Sequence, residues 1–166
     1  MTPGAYIART DAAYGAEWVD VAMHDDGLAG DARAGDDVYS AQVPREVQVH
    51  RNLVRYRIVA SDGRDASTVA PYADDPQPNF AYFVYDGVPG WRAAVRPGVT
   101  EEIEFPAEVM RSLPVYHLIS KKSDVENAMW FQRYGLGAAG RKDFNWYGTL
   151  VYDGEVYDHV RYRMRG

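Results

Sequence analysis

The sequence predicts a mainly β protein. An immunoglobulin- or fibronectin-like sandwich occupies residues 1–75, a linker and irregular loop follow over 76–108, and a small α/β segment fills 109–166. Three observations carry this reading. Thirteen tyrosines and four tryptophans in 166 residues favour pleated, half-buried surfaces. Fifteen glycines and nine prolines interrupt the chain too often for long helices. Apolar residues also recur at every second position over several short runs, which is the period of a strand.

Taken in order, Ala5-Tyr-Ile-Ala-Arg-Thr10 reads as a first strand. Glu17–Met23 alternates, with Trp18, Asp20 and Ala22 on one face and Val19, Val21 and Met23 on the other. Val38–Val43 is a third strand, stopped by Pro44. Leu53–Ala60 is the clearest: Val54, Tyr56, Ile58 and Ala60 oppose Leu53, Arg55, Arg57 and Val59, and Asp62-Gly63 signals a turn. Short strands at this spacing suggest the sandwich. Pro71–Pro78 reads as a linker, since proline cannot donate to a ladder. Phe80–Tyr85 is an aromatic strand, and Val88–Pro106 an irregular loop. After Pro114, Val115–Ile119 is an apolar strand. Ser123-Asp-Val-Glu126 forms a capping box that predicts a helix of about ten residues, with Val125, Ala128, Met129 and Gln132 on one side and Gly135 at its end. Tyr147–Tyr152 and Glu155–Tyr157, joined by Asp153-Gly154, predict a β-hairpin.

The totals exclude several function classes. A formal net charge of −6 gives no bulk attraction to nucleic acid or anionic membranes. No apolar run approaches a membrane span, and Met1–Ala5 has no charged-then-apolar signal. With no cysteine, disulfides, thiol nucleophiles and cysteine zinc sites are out.

The sharpest chemical feature lies between Asp25 and Asp37, where five aspartates and three glycines fall in thirteen residues. Asp25, Asp26, Asp31, Asp36 and Asp37 repel one another unless a cation, backbone N–H groups or water neutralises them. Glycines allow the positive-φ turns that aim oxygens inward. Hard oxygen donors on a tight loop suit Ca²⁺. The spacing is not that of an EF-hand, because Asp26, Asp31 and Asp36 recur every five residues and no glutamate closes the set. The competing reading is a turn whose aspartates bond their own backbone.

On the terminal strand, alternation puts His159, Arg161, Arg163 and Arg165 on one face. They form either a stripe for an anion or phosphate or a solvated face paired with Asp153, Glu155 and Asp158. Tyr82, Phe83, Tyr85, Trp91, Trp130, Trp146 and Tyr147 offer either sugar-stacking rings or core and seam packing. His24, His50, His117 and His159 are scattered without metal-ligand spacing, and no serine sits in a nucleophile elbow.

Three stretches read together resemble a known family. They are Asp25-Asp26-Gly27-x-x-Gly30-Asp31-x-x-Ala34-Gly35-Asp36-x-x-Tyr39, followed by Leu53–Asp62; Leu113-Pro-Val-Tyr-His-Leu-Ile119; and Val151-Tyr-Asp-Gly-Glu-Val-Tyr-Asp158 leading to Arg163-Met-Arg-Gly166. In this order they resemble the front end of bacterial spore-coat CotH-family proteins, over about Trp18–Gly166. The resemblance implies a β-sandwich ahead of an atypical, kinase-like domain, of which 109–166 would be the opening of the N-lobe. It implies a spore or cell-surface setting. It also implies ATP and Mg²⁺ only for a longer parent, because the family's phosphate-binding lysine and catalytic aspartates have no counterpart here.

The expectation is therefore a non-catalytic interaction module, without enzyme activity of its own. Its partner would be a protein, or a second copy joined through the edge of residues 155–165. The alternatives are a fragment of an ATP-dependent protein kinase, with Arg161, Arg163 and Arg165 on phosphate, and a carbohydrate-binding module.

Overall fold

A computed structural model describes residues 6–129 and 145–163. Among them the chain is mainly β, built of small antiparallel sheets. The elements run α1 (Ala12–Ala16), β1 (Asn52–Tyr56), β2 (Ile58–Ser61), β3 (Ser67–Ala70), β4 (Phe80–Val84), β5 (Trp91–Ala93), β6 (Ile103–Phe105), α2 (Ala107–Arg111), β7 (Tyr116–Ser120), α3 (Lys122–Met129), β8 (Trp146–Tyr152) and β9 (Glu155–Tyr162), with one 3₁₀ turn at Arg45–Val47. Strand β1 pairs with β4, β2 with β3, β5 with β6, and β7, β8 and β9 form a three-stranded sheet in that order.

The expected strands split into those that found a partner and those that did not. β4, β7 and the β8–β9 hairpin lie where the aromatic run 80–85, the apolar run after Pro114 and the Asp153-Gly154 turn signal placed them. The hairpin turns on Asp153 (φ 50°) and Gly154 (φ 81°), the two positive φ values that a two-residue turn matched to strand twist requires. Residues 5–10 and 17–23 form no strand among the described residues. The Asp11 carboxylate accepts the Ala8 N–H at 2.8 Å while the Asp11 N–H bonds the Ala8 carbonyl, so the chain turns into α1 instead. Val19, on the expected second strand, is 82% exposed. Of 38–43 only Ser40 pairs, in one bridge with His24 that closes the base of the aspartate loop.

The run 53–60 is two strands rather than one. It breaks at Arg57, whose Nε donates to the Pro78 carbonyl at 2.9 Å and whose guanidinium lies 4.5 Å from the Trp18 ring centroid. Beyond the break β2 is exposed along its length and pairs only with β3. The expected irregular loop 88–106 contains the β5–β6 hairpin, clasped by Arg92 and Glu104, which face each other in register at 3.0 Å. Helix α3 begins at Lys122, so Ser123 lies inside the first turn and not at the cap, and the Lys121 carbonyl takes the Asp124 and Val125 N–H groups. Gln132 and Gly135 lie outside the described residues.

The centre of the molecule is polar. Among the described residues Ala8, Pro78, Ala128 and Val151 are the buried apolar side chains, whereas Thr149 (0% exposed) and Asp158 (1%) are the largest fully buried side chains. A β-bulge puts them there. Gly148 opposes Val160 and Leu150 opposes Tyr157, so Thr149 faces two residues, Asp158 and His159. His159 takes φ 56°, a left-handed conformation that costs a non-glycine residue about 1–3 kcal/mol unless its surroundings enforce it.

Candidate functional site

Two aspartate centres stand out. The first is the loop. Asp25, Asp31 and Asp36 bring carboxylate oxygens within 4.8 Å of one another, while Asp26 and Asp37 fall outside that group. Much of the loop's charge already meets backbone. Asp25 Oδ1 accepts the N–H groups of Gly35 (2.5 Å) and Asp36 (3.2 Å), and its Oδ2 accepts that of Asp37 (2.9 Å). Asp31 Oδ2 accepts Gly27 N–H at 2.5 Å. Asp26 and Asp36 each bond the N–H two residues on, the Asx-turn pattern. Gly27 and Gly35 supply positive φ (both 71°), and a Cβ on Gly27 would stand 3.2 Å from the Ala34 nitrogen. The three converging carboxylates are of the right donor chemistry for a hard cation, and the self-bonded turn is present at the same time.

The second centre is Asp158, which sequence reasoning assigned to the arginines of its own strand. It pairs instead with Arg55 on β1, in a two-pronged contact of Nε to Oδ2 at 2.6 Å and Nη2 to Oδ1 at 3.0 Å. Thr149 Oγ1 donates to Oδ1, and Asn79 Nδ2 to Oδ2 at 3.0 Å. The Asp158 N–H is taken by the Gln77 side-chain oxygen at 3.0 Å. Arg55 in turn donates to the Ile7 carbonyl and lies 5.2 Å from the Tyr6 ring centroid. Tyr14 donates to Asn79 Oδ1 at 2.6 Å and accepts from Arg57 at 3.1 Å. One carboxylate thus ties the hairpin to the N-terminal segment, to β1 and to the 77–79 stretch.

The electrostatics follow from the contacts. Burial alone would raise the pKa of Asp158. Hydrogen bonds from Arg55 and Thr149, the Arg55 charge and the Asn79 amide outweigh it and hold the carboxyl at about 2. Burial pushes the Tyr6 hydroxyl up. It pushes His117 down, with Arg51 adding to the effect. An aspartate with every oxygen engaged and no face to solvent holds structure; it has no free lone pair for a substrate proton or a metal.

The cationic stripe is broken by the same bulge. His159 turns inward beside Asp158 while Arg161 stays exposed, 5.9 Å from the Tyr147 ring centroid. Arg163 is exposed, and Arg165 lies outside the described residues.

The aromatic cluster divides as well. Phe83 and Tyr85 stack at 5.4 Å, His50 stacks on Tyr85 at 5.1 Å and His117 meets it edge-on at 4.3 Å. Phe83, Tyr85 and His117, together with Arg111, line an open depression of about 590 Å³ between the end of β4 and the β7–β8 strands. Tyr85 is already covered by aromatic neighbours, so it has little ring face left for a sugar. Trp91 is exposed on β5, and Trp130 lies outside the described residues.

No family model matches this chain, and neither curated proteins nor solved structures give a match. The site therefore stands on its own geometry. Reading the sequence missed Arg55, Asn79 and Thr149. The available signal was an arginine on the same strand face as Leu53, a position where a charge requires a buried partner.

Proposed function

We propose that this chain is a non-catalytic interaction module of a surface protein resembling the CotH family, with a sandwich-type region leading into a kinase-like N-lobe segment. Its antiparallel sheets, and the helix set between the first two strands of the β7–β8–β9 sheet, are compatible with that layout. The observation that carries the reading is the saturation of Asp158. The carboxylate whose acidity departs furthest among the described residues is committed to holding four parts of the chain together, so its perturbation is structural and not catalytic. Incubating the purified chain with Mg-ATP should give neither phosphate release nor phosphoprotein. Turnover that a single substitution abolishes would overturn the proposal.

The loop supplies the ligand side of this reading. Ca²⁺ binds through Asp25, Asp31 and Asp36 and stiffens the loop as part of the interaction surface. Calorimetric titration should show heat that Asp31→Asn removes. Absence of heat leaves the self-bonded turn as the whole account of the loop.

A further inference from the structure

The bulge on β9 holds His159 in a setting that the proposed function does not use. Its side chain is 6% exposed. Nε2 lies 3.2 Å from Asn79 Oδ1 and 3.3 Å from Asp158 Oδ2. Both atoms are acceptors. Asp158 is ionised, and the Asn79 amide is oriented by donating its Nδ2 to Asp158 and to the Phe80 carbonyl and by accepting from Tyr14 on Oδ1. Nε2 therefore carries the hydrogen, and Nδ1 is a bare acceptor. Nδ1 is buried and meets no hydrogen-bond partner among the described residues.

Adding a proton would create an N–H at Nδ1 with no acceptor for it among the described residues. The charges around the ring also oppose it. Arg55 and Arg57 reach it from β1 and the residue after β1, and Arg9 from the N-terminal segment. Tyr14 stands edge-on at 5.2 Å. Asp158, on its own strand, is the anion that pulls on the ring, and it is already engaged by Arg55.

We infer that His159 is an acid-operated latch: neutral, it clasps the β8–β9 hairpin to Asn79 and the N-terminal segment, and protonated it lets them part. The ring's pKa is lowered, by burial first and then by Arg55, Arg9 and Arg57 against the pull of Asp158. The clasp is therefore complete above the unfolded histidine value of about 6.5 and is lost as pH falls through the lower folded value. The N-terminal segment is what opening loosens: Tyr6, Ile7 and Tyr14 meet the body on this network, and the Asp11–Lys121 ion pair remains as a tether outside it.

The test is amide hydrogen exchange of the full chain at pH 7.5 and 5.0, corrected for intrinsic rates. Protection at 158–160 and at Ala8, Asp11 and Tyr14 should fall relative to β2 and β3 amides as the His159 ring takes up its proton. His159→Gln keeps a donor without a titrating ring, and His159→Asn also tolerates positive φ. Both should abolish the acid sensitivity, whereas His117→Gln should leave it in place. Equal acid loss across the chain, or acid loss unchanged in both His159 variants, overturns the latch. If neither variant folds, NMR titration of the wild-type His159 ring decides alone: a midpoint below 6.5 supports the latch, and one at or above 6.5 overturns it.

Discussion

Asp25 and Asp158 solve one problem in opposite ways. Each carboxylate collects several hydrogen-bond donors, but those of Asp25 come from the backbone ten to twelve residues away, in a half-exposed loop. Those of Asp158 are mainly side chains, from Arg55, Asn79 and Thr149, two of them many residues distant, joined by the backbone N–H of His159, in a fully buried position. The loop needs only local turns and glycine, and its charge stays in contact with water. The buried centre needs a cation, because an ionised carboxylate out of water is costly unless paired and fully bonded. One aspartate therefore shapes a loop, and the other determines how distant segments meet.

The largest break in this comparison should come from the buried pair. Arg55→Ala leaves Asp158 charged, buried and unpaired, and urea unfolding should show a loss of about 3–5 kcal/mol. Asp158→Ala should cost a similar amount by stranding Arg55, and the two losses should be far from additive in the double variant. Acid is the next probe. The Asp158 value of about 2 lies below the unfolded aspartate value, so its stabilisation is present above about 3.9 and lost as pH falls through about 2. Thermal melts from pH 5 to 2 should lose about 2–3 kcal/mol that Asp158→Asn no longer loses.

The loop should respond more mildly. Asp25→Ala frees three N–H groups that water can reach, so denaturant midpoints should report about 1–2 kcal/mol. The smallest effect belongs to Arg92 and Glu104, a pair whose side chains are 70% and 65% exposed. Arg92→Ala should cost less than about 1 kcal/mol, and added salt should reduce the difference further.

Local chemistry was legible in the chain where a few neighbouring residues settle it. Asp153-Gly154 marked the hairpin turn, the aromatic run 80–85 marked a strand, and the density of aspartates between Asp25 and Asp37 marked a loop in which the carboxylates of Asp25, Asp31 and Asp36 converge while those of Asp26 and Asp37 stay outside the group. Alternation failed where a strand needs a partner to exist. Residues 17–23 carry the pattern of β1 but no strand among the described residues pairs with their backbone, and Arg57 ends a run that looks continuous because its guanidinium is claimed by Pro78 and Trp18.

The sequence by itself determined that the chain is mainly β, where its tight turns fall, and that a dense acidic loop had to be neutralised by turns or a cation. Only the tertiary structure decided that the buried centre is ionic, that Asp158 belongs to Arg55 more than a hundred residues earlier in the chain, and that one bulge turns His159 inward. The reason is physical: backbone preference and side-chain alternation act over a few residues, whereas pairing of a buried charge depends on which distant segments are brought within hydrogen-bonding reach.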